Sequence, residues 1–196
     1  HRRQRQMCIR DRLTTAASVE YIKHAYHVPV HTYGFGTDSP VTDGQASTET
    51  TLKGLMASLA GADLLSGAGM VESINGFSLI QLLVDHNLVG ILRRLNKGVK
   101  VDDDTLAWEE ILNTDPGGHF LERIHTFEHC REALRPEFFI QKEWEVWNSE
   151  GKKDLYDRAF EAYKVLKDGL QPHPLPEDIR KELDVIVKKA DEKLIK

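Results

Sequence analysis

One short pattern in this sequence has the spacing of a metal-binding catalytic motif. His125-Thr-Phe-Glu-His129 satisfies H-x-x-E-H, the inverted zinc-protease motif. On a helix the two histidines fall on one face, near enough to share a tetrahedral zinc, while Glu128 can serve as the base. Three fixed positions are a weak filter, and little chain remains downstream to supply the distant glutamate ligand that this class needs. We therefore predict hydrogen-bonded packing histidines and no bound metal, with a zinc metallopeptidase using residues 125–129 as an alternative.

A second histidine follows a pair of glycines. In Pro116-Gly-Gly-His-Phe120 the glycines allow the backbone to approach a ligand or a neighbouring strand closely. A tight turn with a partly exposed His119 explains the pattern equally well, so both interpretations stay open. The acidic run Asp102–Asp104 is explained by capping and by the helix dipole rather than by a metal.

Two glycine pairs resemble the beginning of a phosphate-binding loop. Neither Gly34/Gly36 nor Gly67/Gly69 completes G-x-G-x-x-G or a Walker pattern, and no lysine follows at the needed place. The pairs fit loops at the carboxyl ends of barrel strands better.

Three aromatic residues lie close to these loops: Tyr33, Phe35 and Phe77. Aromatic faces at a ligand-binding edge can hold a quaternary ammonium by cation–π attraction. Ordinary core packing is the competing role for each ring.

The elements that position these residues alternate between helix and strand. Apolar spacing predicts a helix over 13–26, and β-branched and aromatic residues predict a strand over 28–33. A helix capped by Asp43 or Ser47 follows, with an apolar face of Leu52, Leu55, Met56 and Leu59. A strand over 62–66, a glycine turn and a helix from a capping box at Ser78 to Gly98 complete the series. This alternation predicts parallel strands with helical crossovers, in a barrel or a doubly wound sheet.

The region after Gly98 has a different character. We predict helices over 102–112, 122–134, 142–170 and 177–194, with Pro172, Pro174 and Pro176 forming a stiff break.

Composition narrows the class of protein. The chain has 196 residues, a formal net charge of −5 and two cysteines. The net negative charge argues against a nucleic-acid partner. No apolar run reaches membrane-spanning length, so we expect no transmembrane helix. The two cysteines fit a reducing cytoplasm. Residues 1–12 are basic and lack periodicity, and within them Met7-Cys-Ile-Arg-Asp-Arg12 resembles translated sequencing-adapter DNA, so we expect this segment to be non-native.

Several separated motifs, in this order, resemble the C-terminal part of the trimethylamine:corrinoid methyltransferase superfamily, from about Leu13 to the C-terminus. The motifs are Gly61–Ser73, Phe77-Ser78, Arg93-Arg94-Leu95, Pro116–Phe120, His125-Thr126 and His129. The resemblance implies the last strands of a (β/α)8 TIM barrel over 13–98, followed by a helical C-terminal region over 99–196 that packs on it.

The resemblance also implies an activity. A methylated amine at the barrel mouth would donate its methyl group to the Co(I) corrinoid of a separate carrier protein, a reaction associated with methanogenesis. Members that use trimethylamine carry pyrrolysine, which is missing here near Gly36–Ser39, so a quaternary amine such as glycine betaine is expected. We expect no directly bound cofactor, a homo-oligomer, and a fragment that is inactive alone. A non-catalytic barrel scaffold for the carrier is a further alternative.

The resemblance assigns no catalytic residue, but it implies substrate contacts at the mouth. The aromatic rings would contact the cation, and Glu72 or His119 would fix the polar end of the substrate or the carrier. The predicted mouth residues are Tyr33, Phe35, Ser66, Glu72, Phe77 and His119.

Overall fold

The computed structural model describes residues 9–132, 134–170 and 175–194. Compact packing divides the chain into two units, the first ending at Tyr163 and the second beginning at Lys164. Of the segment 1–12 that is predicted to be non-native, residues 1–8 lie outside the described residues, and residues 9–12 begin the first helix.

A parallel pair of strands with a helical crossover forms the centre of the first unit. Strand β1 (His31–Tyr33) pairs in parallel with β2 (Leu64–Ser66), and helix α2 (Gly44–Leu59) connects them. The predicted parallel pairing is therefore confirmed. The described residues form two two-stranded sheets and are mostly helical, so the fold is of the α/β type while the eight-stranded barrel stays a prediction.

Helix α1 (Ile9–Tyr26) begins four residues before the predicted start at Leu13. Its Lys23 donates to both carboxylate oxygens of Asp63 at 2.8 and 2.9 Å. Asp63 also accepts a hydrogen bond from the Val30 backbone N–H at 2.7 Å. These bonds hold the pKa of Asp63 below its usual value. The carboxylate thus fastens α1 to the beginnings of both parallel strands.

Helix α2 buries a different face from the predicted one. Its N-cap is Asp43, as predicted, with the side chain accepting from the Ala46 N–H. Leu52 and Leu59, however, are 40% and 66% exposed. The buried face carries small and polar residues because the helix lies close to the strands: Ala46, Glu49, Thr50, Gly54 and Ala57.

The close approach of α2 is clearest at Gly54. A Cβ added there would lie 2.9 Å from Leu92 Cδ1 and 3.2 Å from the carbonyl oxygen of Gly34. A larger side chain at this position has no room, so the apolar periodicity of α2 does not identify its buried face.

Helix α3 (Leu79–Asn96) supplies the apolar surface that covers these elements. Ser78 caps it by accepting from the Gln81 N–H, as predicted, and Leu88 and Leu92 pack with Phe35. Leu95, predicted on the buried stripe, is exposed.

A second hydrophobic cluster lies further along the first unit and consists of Ile80, Val84, Phe138 and Ala159.

A small antiparallel hairpin lies between β2 and α3 and was not predicted. Strands β3 (Met70–Val71) and β4 (Gly76–Phe77) pair around a tight turn at Glu72–Ile74. The sequence prediction of one glycine turn before the helix was too simple here, because two-residue strands leave no periodicity to detect.

The region after residue 98 forms shorter helices than predicted. Ala107, with φ of 48°, separates α4 (Asp103–Leu106) from α5 (Trp108–Leu112). Helix α6 covers only Ile124–His129 of the predicted 122–134. The predicted 142–170 helix is divided into α7 (Trp144–Ser149) and α8 (Leu155–Gly169).

The described part of the second unit consists of the end of α8 and the helix α9 (Glu177–Leu194), which matches its predicted bounds. Pro172 and Pro174, in the predicted break, lie outside the described residues. None of the helices in the described ranges is long and apolar enough to cross a membrane.

Candidate functional site at the carboxyl ends of the parallel strands

The candidate site consists of two loops that leave the carboxyl ends of β1 and β2. We call residues 34–42 the first loop and residues 67–77 the second loop. Because β1 and β2 are parallel and paired from His31↔Leu64 to Tyr33↔Ser66, both loops leave the same edge of the sheet. In α/β folds this edge is where ligands bind.

Backbone hydrogen bonds fasten the second loop to the first. The N–H groups of Gly34 and Phe35 both donate to the Ser66 carbonyl at 3.1 Å, and the Thr37 N–H donates to the Met70 carbonyl at 3.1 Å. Further on, Glu72 N–H donates to the Ser39 carbonyl at 2.9 Å. The loops therefore form one hydrogen-bonded surface.

The turn of the second loop is strained. Glu72, Ser73 and Ile74 have φ angles of 51°, 52° and 79°, in the left-handed region that non-glycine residues avoid. The strain is held by the Ser73 N–H, which donates to the Thr37 carbonyl at 3.0 Å, and by the Ser73 hydroxyl, which donates to Asp38 at 2.8 Å. Strained backbone of this kind costs about 1–3 kcal/mol per residue and concentrates at functional sites.

A buried carboxylate on α3 supports the second loop from beneath. Asp85 is 0% exposed and accepts from the Gly69 N–H and from the Gln81 side-chain amide, both at 2.8 Å. Burial raises the pKa of Asp85, although both hydrogen bonds oppose the shift. Gly69 itself needs to be glycine, because its φ is 81° and a Cβ would lie 2.7 Å from the Phe77 ring.

A second buried carboxylate, on α2, supports the first loop. Glu49 accepts from the Thr37 hydroxyl at 2.7 Å and from the Asp38 N–H at 2.8 Å. Lys53, one turn later, donates to the Gly36 carbonyl at 3.3 Å. Both loops are thus held by side chains of the helices behind them.

The structure brings several of the predicted mouth residues to this edge. Tyr33 is 50% exposed at the end of β1, and Phe77 is 59% exposed at the end of the hairpin. Glu72 is exposed on the strained turn. Ser66 ends β2, with its Oγ 2.8 Å from Nε2 of His31.

Two predicted mouth residues have other surroundings. Phe35 is 3% exposed and packs against Leu88 and Leu92, so its ring belongs to the core. His119 follows α5, with its Nε2 3.9 Å from Glu122 Oε1. No hydrogen bond among the described residues links His119 to the two loops.

Sequence reasoning missed the residues that hold the loops: Asp38, Glu49, Ser73 and Asp85. One pattern indicates Asp85, since Gln81 and Asp85 are four residues apart on a helix, within hydrogen-bonding reach, and interrupt an otherwise apolar face. The pairing of Ser73 with Asp38 has no sequence pattern, because 35 residues separate them.

The H-x-x-E-H histidines lie on α6, as a helical motif requires, and are hydrogen-bonded. Nε2 of His125 is 2.8 Å from the Asp104 carbonyl oxygen, and Nδ1 of His129 is 2.9 Å from Glu132 Oε1. Glu128 is exposed.

Comparison with known proteins gives one consistent family. The family model described as Trimethylamine methyltransferase (MTTB) matches residues 15–194. Over 176 residues the chain is 34% identical to trimethylamine methyltransferase MttB of Desulfitobacterium hafniense, covering 90% of this chain and 36% of that protein. It is 33% identical over 179 residues to MttB1 of Methanosarcina mazei, with the same coverages.

A relative with another named substrate also matches. The glycine betaine methyltransferase of D. hafniense is 29% identical over 164 residues, covering 83% of this chain and 34% of that protein. The chain thus spans about a third of the length of these relatives. Because the family model matches residues 15–194, which is most of the chain, the chain belongs to the trimethylamine methyltransferase family.

Proposed function

We propose that this chain forms part of a methyltransferase that removes a methyl group from a quaternary amine and delivers it to the Co(I) corrinoid of a separate carrier protein. Relatives named for trimethylamine and for glycine betaine support a methylated amine as the donor. The corrinoid supplies the nucleophile that accepts the methyl group.

The observation that carries this proposal is a second loop that contains a strained turn and contacts two exposed aromatic rings. Three consecutive non-glycine residues with positive φ persist only where the surrounding structure fixes them. A Cβ added at Gly67 would lie 3.2 Å from Tyr33, and one added at Gly69 would lie 2.7 Å from Phe77, so both exposed rings lie against the second loop, as expected for a site that holds a cation by its ring faces.

The chemistry demands orientation and exclusion of water more than acid–base groups. A quaternary ammonium leaves as a neutral amine when its carbon–nitrogen bond breaks, so no proton has to be supplied. Tyr33 and Phe77 would orient the cation, and Glu72 or His119 would fix the polar end of the substrate or the carrier. A tertiary amine lacks this advantage, and Gly36-Thr-Asp-Ser39 carries no activating residue.

We further propose that β1 and β2 belong to a (β/α)8 barrel. A groove of about 360 Å³ runs along β1, lined by residues of α1 and β1 that include Thr14, Val19 and His31. An unpaired parallel edge beside such a groove is suited to a neighbouring strand. The further strands would come from the part of the relatives' length that this chain does not span.

The test joins the N-terminal part of the D. hafniense glycine betaine methyltransferase to residues 13–196 of this chain. After circular dichroism establishes folding, a panel of betaines and trimethylamine is supplied with cob(I)alamin and, separately, with a corrinoid carrier. Methyl transfer from quaternary amines alone is expected. If the chimaera transfers a methyl group from none of these amines while the unaltered relative is active on glycine betaine, the proposed substrate class is wrong. If the chimaera binds the carrier without turnover, the non-catalytic scaffold is favoured.

Point variants test the aromatic contacts. In the active chimaera, Phe77→Ala and Tyr33→Ala should raise KM for a quaternary amine about 5- to 30-fold, since a desolvated cation–π contact contributes roughly 1–2 kcal/mol. Phe139→Ala, at a half-exposed ring distant in sequence from both loops, is the matched control. Equal KM values in all three variants would remove the aromatic rings from the proposal.

A further inference from the structure

We propose that Asp104, His125 and His129 form a binding site for a divalent cation of the zinc type. This site is separate from the two loops and does not rest on the proposed methyl transfer. It also departs from the sequence prediction that the two histidines are packing residues without a metal, and it uses Asp104 where the H-x-x-E-H pattern directs attention to Glu128.

The ligand atoms already lie close together. One ring nitrogen of each histidine and one carboxylate oxygen of Asp104 lie within 4.8 Å of one another. The distance from His129 Nε2 to Asp104 Oδ1 is 3.6 Å, too long for a good hydrogen bond. Two ligands on a tetrahedral zinc, with bonds near 2.0–2.2 Å, lie roughly 3.3–3.6 Å apart. This pair therefore has the separation of two zinc ligands.

The hydrogen bond between His129 and Glu132 favours metal binding. Its Nδ1 is 2.9 Å from Glu132 Oε1, and a carboxylate can only accept, so Nδ1 carries the proton in the neutral ring. The lone pair is then on Nε2, the nitrogen that faces Asp104. A carboxylate bound to the outer nitrogen of a metal-binding histidine is the common arrangement around zinc, because it fixes the tautomer and raises the basicity of the ligand.

Local structure holds the ligands in place on two short helices. On α6, the rings of His125 and His129 are 4.2 Å apart, one turn from each other. Asp104 is on α4, which begins with a capping box between Asp102 and Thr105. Nε2 of His125 is 2.8 Å from the Asp104 carbonyl oxygen, which can only accept. In the neutral ring Nε2 therefore carries the proton, and Nδ1 is the nitrogen of His125 that is left to bind a metal.

The surrounding charge also suits a cation. The carboxylates of Asp102, Asp104 and Glu132 lie in this region, and Lys100 is paired with Asp102 at 2.7 Å. Two imidazole nitrogens and one carboxylate oxygen are a ligand set for zinc and its transition-metal neighbours rather than for Mg²⁺ or Ca²⁺. Three protein ligands leave a fourth position for water.

A bound metal would stabilise a region that has little core of its own. Helices α4, α5 and α6 contain no buried residue. A metal that joins Asp104 to α6 would cross-link two helices separated by about twenty residues of sequence, and the free energy of binding would then stabilise the folded segment.

The experiment uses the full 196-residue chain without a polyhistidine tag, treated with a chelator and titrated with Zn²⁺ in the presence of a competing indicator. One equivalent should bind with a Kd at or below about 1 μM. Replacing Zn²⁺ by Co²⁺ should give the intense visible absorption of a tetrahedral site. If the chain does not bind one equivalent of Zn²⁺ with a Kd at or below about 1 μM, the proposal is overturned.

Variants assign the ligands. His129→Ala, His125→Ala and Asp104→Asn should each weaken binding about 100-fold or more, whereas Glu132→Gln should weaken it about 10- to 100-fold through His129. Glu128→Gln and His119→Ala are matched controls on the same segment and should leave the Kd unchanged. Unchanged affinity in His129→Ala, or loss of binding in Glu128→Gln, contradicts the assignment.

Protection from proteolysis gives a test that does not depend on how the variants fold. In the unaltered chain, Zn²⁺ should slow trypsin cleavage at Arg123 and Arg131, which flank α6, and should leave cleavage within α9 unchanged. Equal cleavage rates at Arg131 with and without Zn²⁺ would show that the metal does not join these helices.

Discussion

Replacement of Asp85 should release the second loop of the candidate site without removing any residue that faces solvent there. The carboxylate is fully buried and accepts from the Gly69 N–H and from the Gln81 amide, both at 2.8 Å. Asp85→Ala leaves both donors without an acceptor. Asp85→Asn keeps one acceptor oxygen but turns an N–H₂ group toward the other donor.

The magnitude follows from these two hydrogen bonds. A buried donor that loses its partner costs about 1–3 kcal/mol. Two such donors, less the relief of no longer burying a charge, give a net cost of about 2–4 kcal/mol for Asp85→Ala and about 1–2 kcal/mol for Asp85→Asn. If the cost appears as local opening, the Gly69 amide should exchange about 30-fold faster or more in Asp85→Ala.

The assay is hydrogen exchange read by mass spectrometry on a peptide that contains Gly69, which reports the loop without requiring global unfolding. Asp191→Asn, at an exposed carboxylate of α9, is the control and should leave exchange of this peptide unchanged. Exchange at Gly69 that stays within about 2-fold of the unaltered chain in Asp85→Ala would refute the supporting role of the carboxylate.

The same carboxylate has a defined pH dependence. Burial raises the pKa of Asp85 above the usual 3.8, so the folded state binds the proton more tightly than the unfolded state. Its favourable contribution is complete below pH 3.8 and is lost as pH rises through the folded pKa. Asp85→Asn has no such loss. The protection that Asp85 provides, relative to Asn, should therefore fall as pH rises above 3.8, after correction for intrinsic exchange.

Two further predictions concern packing and capping. Gly54→Ala should destabilise the chain by about 1–3 kcal/mol, because its Cβ would meet Leu92 and the Gly34 carbonyl. Gly90→Ala, where an added Cβ has no atom within 4 Å, should stabilise α3 by about 0.5–1 kcal/mol. Urea denaturation should show opposite shifts for the two variants, and equal shifts would contradict the close approach of α2. The hydrogen bond from Lys100 and the α4 cap lower the pKa of Asp102 to about 2. The stabilisation that the Asp102 carboxylate gives to α4 is therefore complete above pH 3.8 and is lost as pH falls from 3.8 to about 2. Exchange of the Thr105 amide should speed up over this pH range in the unaltered chain, and an unchanged exchange rate in Asp102→Ala at pH 7 would contradict the capping role.

The sequence by itself determined the order of the elements and most helix starts. Asp43 and Ser78 could be identified as caps because a cap depends on the few residues that follow it. The β1–α2–β2 unit and the terminal helix were likewise predictable, since helical periodicity and glycine turns are local features. The separated motifs of the family were also readable, and the family match confirmed them.

Only the tertiary structure decided which faces are buried. The predicted apolar face of α2 is partly exposed because Gly54 and Ala57 allow the helix to lie against Gly34 and Leu92. Periodicity reports where apolar side chains lie on a helix, but the fit of small residues against a neighbour depends on distances that the sequence does not contain.

The candidate sites were decided by tertiary structure for the same reason. The strained turn at Glu72–Ile74 persists because the first loop holds it, and Asp85 is buried because α3 lies under Gly69. The sequence places His125 and His129 on one helical face. Their proximity to Asp104, about twenty residues earlier, follows from the tertiary contact between His125 and the Asp104 carbonyl, and it brings together the three groups of the proposed cation site.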